Sequence, residues 1–399
     1  MSAAPEANAS ASAADLALLA RLPEEWESAL AELGQPRYRA RQIFRWIHKR
    51  GVYEAAAMSD LSQDLREQLQ ALGLRSAVEV LDLRRSSDGT RKLVLGMREG
   101  ARVECVLIPM TSVATDADAP AGLDDDDPSD HESEGVAART RVTLCISSQF
   151  GCAMGCRFCA SGQAGLLRGL KAAEIVAQVA LALRYLDPNE ELTNLVFMGM
   201  GEPLHHYDET ARALRLLMHA DGLNLSPRRI TVSTVGLVPG IQRLGRDFQG
   251  KLGLAISLHA PNDAVRSSLL PMNERYPISE LLAALRAYPL PKRRRITIEY
   301  TLIDGVNDQP AHARELAQVL KGIPVKINLI PMNPITASAL KAPRNARVVE
   351  FQSILANLGY SCFVRTRRGD EVDAACGQLA LSDDLVRARR DKVLRRPEV

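Results

Sequence analysis

The chain has 399 residues, of which 46% are hydrophobic and 25% charged, with a formal net charge of +2. That balance belongs to globular proteins and excludes wholesale disorder. No apolar run approaches the length of a membrane span. The Ala/Ser-rich start, Met1 to Asp15, lacks the basic opening and apolar stretch of a secretory signal. A cytoplasmic protein without membrane contact is therefore expected.

In chain order, residues 1–14 read as a disordered tail. Residues 15–75 read as helical, with Leu19, Leu22, Trp26 and Leu30 at helical spacing. Within them Gln35–Arg50 interleaves six Arg and Lys with Tyr38, Phe44, Trp46 and His48. This is either a phosphate-binding surface with stacking partners or a solvated helix face with Phe44 and Trp46 in the core. Residues 76–110 read as a β-hairpin lead-in of three short strands, the first two joined by an Asp88-Gly89 turn. Glu104 interrupts the apolar run Val103–Ile108. Strand alternation puts it on the solvent face, whereas burial would raise its pKa and suit it to proton transfer.

Residues 111–139 form an acidic insertion, with nine acids and no Lys or Arg between 111 and 138. Repelling charges with little apolar content predict disorder. Outside it 50 basic residues face 39 acidic ones, a basic body suited to a polyanionic partner. From 140 to 368, β-branched runs alternate with amphipathic ones. Strands are predicted at Arg141–Ile146, Asn194–Phe197, Arg229–Ser233, Gly253–Leu258, Arg295–Leu302 and Val325–Leu329. Helices are predicted at Ala172–Leu186, Tyr207–His219, Ile278–Tyr288, Ala311–Lys321 and Arg347–Leu358. The fold class is α/β: six strand-helix units in a parallel sheet, open or curled into a partial (βα)6 barrel, behind a small helical N-terminal accessory domain. Ligands of such sheets sit at the carboxyl ends of the strands. Residues 369–399 close the chain as a polar loop around Cys376 and a basic tail.

Seven cysteines, an odd number with three inside eight residues, suggest a reducing compartment and a metal or redox site rather than a disulfide framework. Cys152-x3-Cys156-x2-Cys159 follows the first parallel strand. Three thiolates so close suit three irons of one 4Fe-4S cubane, with the fourth iron left open. A structural zinc would want a fourth ligand, and none lies nearby.

Cys-x3-Cys-x2-Cys after a first barrel strand resembles the radical S-adenosylmethionine enzymes. Further motifs narrow the likeness: Val103–Pro109, Cys145–Gln149, Met198-Gly199-Met200-Gly201-Glu202-Pro203, Ser257–Ala260, Asn328–Pro331 and Ala375–Leu379. Together they are similar to the RlmN/Cfr family of adenine methyltransferases, over about residues 17–385 apart from the acidic insertion.

The resemblance implies a 4Fe-4S cluster on Cys152, Cys156 and Cys159. It implies two molecules of S-adenosylmethionine per turnover, bound by Gly201, Glu202, Ser233, Ser257, Leu258, His259 and Asn333. Cys376 would carry the methyl group as S-methylcysteine, Glu104 would accept a proton, and Cys145 would release the product as a Cys145–Cys376 disulfide that an external reductant resets. Substrates would be carbon 2 of an adenosine in the peptidyl-transferase centre of 23S rRNA and of the adenosine 3′-adjacent to the anticodon in tRNA. A flavodoxin-type one-electron donor, an RNA-contacting N-terminal domain and a monomer are also expected. The rivals are carbon-8 methylation of the same rRNA nucleotide, and a non-catalytic iron-sulfur or RNA-binding module. For the latter, Cys145, Glu104 and Cys376 would have no use.

Overall fold

A computed structural model of the chain describes residues 13–97, 100–110, 139–335, 338–365, 368–375 and 377–379. The tail through residue 12, the insertion 111–138, the basic tail after 379 and Cys376 lie outside the described residues.

Four helices open the chain: α1 (Ala13–Leu19), α2 (Pro23–Glu32), α3 (Arg39–His48) and α4 (Gln63–Ala71). Their apolar faces meet in one core through Trp26, Leu30, Ile43, Phe44, Ile47, Leu65 and Leu69, all buried. Ser62 caps α4 by accepting from Leu65 N, which supplies one of the partners a helix start lacks. Burial settles where the aromatic residues of Gln35–Arg50 lie. Phe44 and Trp46 belong to the core, while Tyr38 stays 58% exposed beneath the Arg39 guanidinium. Arg45 pairs with Asp221 at 2.5 Å, and Phe44 stacks edge-on against His219, so this helical unit is fastened to the rest of the protein.

Three antiparallel strands follow: β1 (Val78–Arg85), β2 (Arg91–Met97) and β3 (Arg102–Pro109). The turn between β1 and β2 includes Asp88 and Gly89, as its sequence signals. β3 pairs antiparallel with β4 (Thr140–Cys145), which begins the parallel set. The set continues with β7 (Glu190–Phe197), β8 (Ile230–Thr234), β9 (Gly253–Ser257), β10 (Ile296–Leu302) and β11 (Val325–Pro331), the six predicted strands, and adds β12 (Cys362–Val364). These ten strands form one sheet in the order β1-β2-β3-β4-β7-β8-β9-β10-β11-β12. A two-stranded ribbon, β5 (Gln149–Gly151) with β6 (Leu166–Gly169), follows β4 in the chain and touches β3.

Helices α6 (Ala172–Ala182), α7 (Tyr207–Met218), α8 (Val238–Phe248), α9 (Asp263–Leu269), α10 (Ile278–Ala287), α11 (Pro310–Val319) and α12 (Asn345–Asn357) connect the strands. The short α5 (Ala160–Ala164) follows the third clustered cysteine. Three helices, α5, α8 and α9, escape the sequence reading, α5 having only five residues. The start of α8, Val238-Pro239-Gly240, has turn composition, although proline in a first turn suits a helix. Its residues Val238, Ile241, Leu244 and Phe248 then bury one face. α9 has only seven residues and is set by its Asn262 cap, whose Oδ1 accepts from Val265 N at 2.9 Å. With both faces of the sheet covered, every residue of β2 and β10 is buried.

Candidate active site

Parallel pairing brings the carboxyl ends of successive strands to one mouth. One cavity opens there. It is lined by Cys152, Cys156 and Cys159 from the segment after β4, Gly201 and Glu202 after β7, Ser233 on β8, Ser257 and His259 at the end of β9, and Asn333 after β11. Leu258 is the exception among the expected ligands. It is 1% exposed, does not line the cavity, and donates its backbone N–H to Glu299 O.

The three clustered cysteines line the same cavity. Among the described residues no three His, Cys, Asp or Glu side chains form a group able to hold a metal ion. A single zinc needs its sulfurs within about 2.3 Å of one centre. A 4Fe-4S cluster takes cysteine thiolates as ligands, and three cysteines lining one cavity suit that group. Burial pushes the Cys152 thiol up to about 12 and raises those of Cys156 and Cys159, so loading the site must release protons.

Glu202 is 2% exposed, and burial lifts its carboxyl to about 7. Its two oxygens accept from Leu204 N at 3.0 Å and Val235 N at 2.9 Å. Gly201 adopts a φ of 102°, and a Cβ there would come within 2.5 Å of Gln149 Cβ. Only glycine fits this turn. Gln149 in turn fixes the following residue by accepting from Glu202 N at 2.9 Å.

His259 has a φ of 57°, a conformation rare outside glycine. It is held by Thr301 N donating to its Nδ1 at 2.9 Å and by Asn307 Nδ2 donating to its carbonyl at 2.8 Å. Burial and the nearby Arg266 guanidinium drop its pKa to about 3, so the ring is neutral. With Nδ1 accepting, the proton sits on Nε2 and makes that atom a donor. Arg266 itself is wholly buried and donates to the carbonyls of Leu258, Val235 and Tyr276 and to Asn273 Oδ1, locking the loops around the mouth.

Glu104 corrects the alternation reading. It is 2% exposed, because β2 and β4 flank β3 and both faces are covered. Burial raises its pKa against the opposing charge of Lys92, whose Nζ lies 3.1 Å from Oε1. Neither Glu104 nor Cys145 lines the cavity. Cys145 is the last residue of β4, opposite Val106 of β3. Ser147 joins the two regions, its Oγ donating to Glu104 O at 2.6 Å and accepting from Met200 N at 2.8 Å.

The segments on either side of Cys376 reach both regions. Gly369 N donates to Asp88 Oδ2 at 2.9 Å, the Glu371 carboxylate accepts from Ser87 N at 2.9 Å, and the Asp373 carbonyl accepts from Lys92 Nζ at 3.2 Å. Beyond Cys376, the Gly377 carbonyl accepts from Ala160 N at 2.8 Å, the Leu379 carbonyl accepts from Ser161 Oγ, and Gly377 and Leu379 both line the cavity.

Sequence reasoning missed Lys92, Arg266 and Glu299. Glu299 lies in the wholly buried strand β10 and lines the cavity, with Oε1 accepting from Asn328 Nδ2 at 3.1 Å. Lys92 and Glu299 carry one legible signal, a charged residue within or beside an apolar run; Arg266 carries none.

Comparison with known proteins agrees with this architecture. Residues 146–317 match the radical SAM superfamily, and residues 18–73 match the ribosomal RNA large subunit methyltransferase N-terminal domain. The chain is 59% identical to the dual-specificity RNA methyltransferase RlmN of Sorangium cellulosum, covering 93% of this chain and 97% of that protein. It is 46% identical to the protein of that name from Marinobacter nauticus, over 88% and 89% of the two chains. A crystal structure of a radical SAM methyltransferase from Sphaerobacter thermophilus superposes with a TM-score of 0.80 at 43% identity, covering 91% of this chain and 98% of that one.

Proposed function

The chain belongs to the RlmN family of radical SAM RNA methyltransferases, and from that premise we propose that it methylates carbon 2 of adenosine in 23S rRNA and in tRNA, at the peptidyl-transferase centre and 3′ to the anticodon respectively. Carbon 2 lies between two ring nitrogens, is electron-poor and bears an inert C–H bond, so it does not act as a nucleophile towards a sulfonium. Bound at the mouth, the 4Fe-4S cluster and S-adenosylmethionine, two molecules per turnover, supply a methyl group and a radical able to abstract hydrogen.

The protein's own residues do the rest. Cys152, Cys156 and Cys159 hold the cluster. Glu202 accepts from the cofactor's ammonium group, which favours its ionised form despite burial. His259 offers Nε2–H as a donor, and Gly201, Ser233, Ser257 and Asn333 shape the pocket. Cys376 carries the methyl group on its sulfur to the base. Glu104 takes the proton lost from the ring carbon. Cys145 then attacks the Cys376 sulfur and breaks its bond to the transferred carbon, which takes a proton to become the product's methyl group; the sulfurs are left as a Cys145–Cys376 disulfide, which an external reductant returns to two thiols. The target adenine must leave its stack to reach such a site.

The observation that carries this reading is the position of the chain around Cys376. It is tied on one side to Lys92, the ion-pair partner of Glu104, and on the other to the cysteine segment. An electron carrier needs neither tie. The test is anaerobic reconstitution with RNA and S-adenosylmethionine, followed by digestion and mass spectrometry. 2-Methyladenosine is expected; 8-methyladenosine alone would overturn the assignment of the carbon. Cys376→Ala is expected to keep its iron and lose methyl transfer.

A further inference from the structure

Lysine is among the residues least often buried, and an ammonium inside a protein persists only when paired. Lys92 stands in β2, every residue of which is buried, and is itself 3% exposed. After it β2 runs Leu93 to Met97, all apolar or glycine; before it stands Arg91, likewise buried and paired with Glu190. A leucine or methionine would continue that run without the desolvation a charge requires. The ammonium instead reaches two acceptors. One is Glu104 Oε1 on β3 at 3.1 Å, and the other is the backbone carbonyl of Asp373 at 3.2 Å. The first belongs to the carboxylate assigned above as proton acceptor. The second lies three residues before the cysteine assigned as methyl carrier. Oε2 of Glu104 is buried and has no hydrogen-bond partner among the described residues.

Resting on that reading of Glu104 and Cys376, we infer that Lys92 is a positioning residue which couples the proton acceptor to the methyl-carrier loop. Its charge holds Oε1 and leaves Oε2 open to receive the proton. Its second hydrogen bond fixes the loop at Asp373, so the base is ordered only with the loop seated beside it. An ammonium has three protons to donate and can make both bonds at once. The contacts Gly369–Asp88 and Glu371–Ser87 seat the start of the loop on the same hairpin. Lys92 alone among these links touches the carboxylate.

The charged and titratable groups facing Glu104 are Lys92 from β2, Arg84 from β1, Asp373 from the loop and Cys105 beside it on β3. Lys92 and Arg84 favour the carboxylate; Asp373 and burial oppose it. A base must be ionised to act, so the rate falls as pH drops through its pKa. Removing Lys92 weakens ionisation and moves that acid limb to higher pH.

The experiment uses full-length, cluster-loaded protein already methylated on Cys376, with single-turnover RNA methylation followed across pH. Hydrogen exchange of the peptide spanning 369–375 is measured in parallel. For Lys92→Met we expect the acid limb to rise by about one pH unit, equivalent to about a tenfold loss on that limb, and loop exchange to quicken about tenfold. Lys92→Arg, which keeps charge and donors, should restore the acid limb. An unchanged acid limb in Lys92→Met, unchanged loop exchange, or a change in one without the other overturns the coupling.

If Lys92→Met does not fold, the double variant Lys92→Met/Glu104→Gln removes both buried charges and is read by exchange alone. Faster exchange supports the role, and wild-type exchange rejects it. Glu104→Gln should keep the loop protected through Lys92. Full methylation by Glu104→Gln would strike the function proposed above, a result read separately from the exchange of the Lys92 variants.

Discussion

On the parallel flank of the sheet, from β4 to β12, most chemical groups sit at or beyond strand tips; on the antiparallel flank, β1 to β3, they sit within the strands. Cys152, Glu202 and Asn333 belong to loops whose backbone is set by close fits such as Gly201 against Gln149. Glu104 and Lys92 are buried strand residues fixed by the pleat and by each other. Loops can be rearranged to receive large groups, whereas a strand interior offers position with little freedom. The division suits a site in which cofactors are bound on one side and a proton is handled on the other.

Four substitutions probe that division, and the largest effect belongs to the parallel flank. Cys156→Ala removes one of three cluster ligands; anaerobic reconstitution should then yield iron and sulfide near background and no methylated RNA. On the antiparallel flank, Glu104→Gln keeps the shape and removes the base. Single-turnover methylation should fall by about 10²–10⁴-fold with iron content unchanged. Equal loss of iron in both variants would erase the distinction between the flanks.

Glu202→Gln comes third. Loss of a charge-assisted hydrogen bond of about 1.5–3 kcal/mol should weaken S-adenosylmethionine binding by roughly ten- to a hundredfold in calorimetry. The same variant changes stability against pH. Unfolded Glu202 ionises near its ordinary 4.5, while the native carboxyl keeps its proton to about 7. Between those values the native state binds more protons, so its contribution is fully present below 4.5 and is lost as pH rises to about 7. Denaturant unfolding of metal-free protein should show this decline, and Glu202→Gln should flatten it. Glu299 and Glu104, also raised by burial, leave a residual slope of the same sign. Smallest is Gly201→Ala, whose positive φ and clash with Gln149 should cost about 1–3 kcal/mol in denaturant midpoint and reduce cofactor affinity alongside.

The two flanks also differ in how far they can be read from sequence. Each parallel strand is a short β-branched run followed by an amphipathic stretch, so all six predicted strands and the cysteine segment are legible. β12 is three residues long and α9 seven, too short for periodicity to register, and α8 opens with turn composition. On the antiparallel flank, alternation misplaces Glu104. The rule assumes one wet face, and here helices and neighbouring strands cover both. Lys92 could not be paired with Glu104 by spacing, because their contact depends on the register that sets Val94 opposite Glu104 and Lys92 opposite Val106. For Phe44 and Trp46 the basic setting leaves a stacking surface and a core position equally open in the sequence, and the packing puts them in the core.

The ten-stranded sheet begins at β1 and ends at β12. Arg365 is still hydrogen-bonded to Leu329 of β11, and Gly369 is already bonded to Asp88 at the opposite rim. Four residues of extended chain reach at most about 14 Å, which bounds the gap between the rims. The two rims thus lie close together, and residues 369–373 are bonded to the β1–β2 side through Asp88, Ser87 and Lys92. A bulky guest that enters between the rims therefore passes these bonds or breaks them.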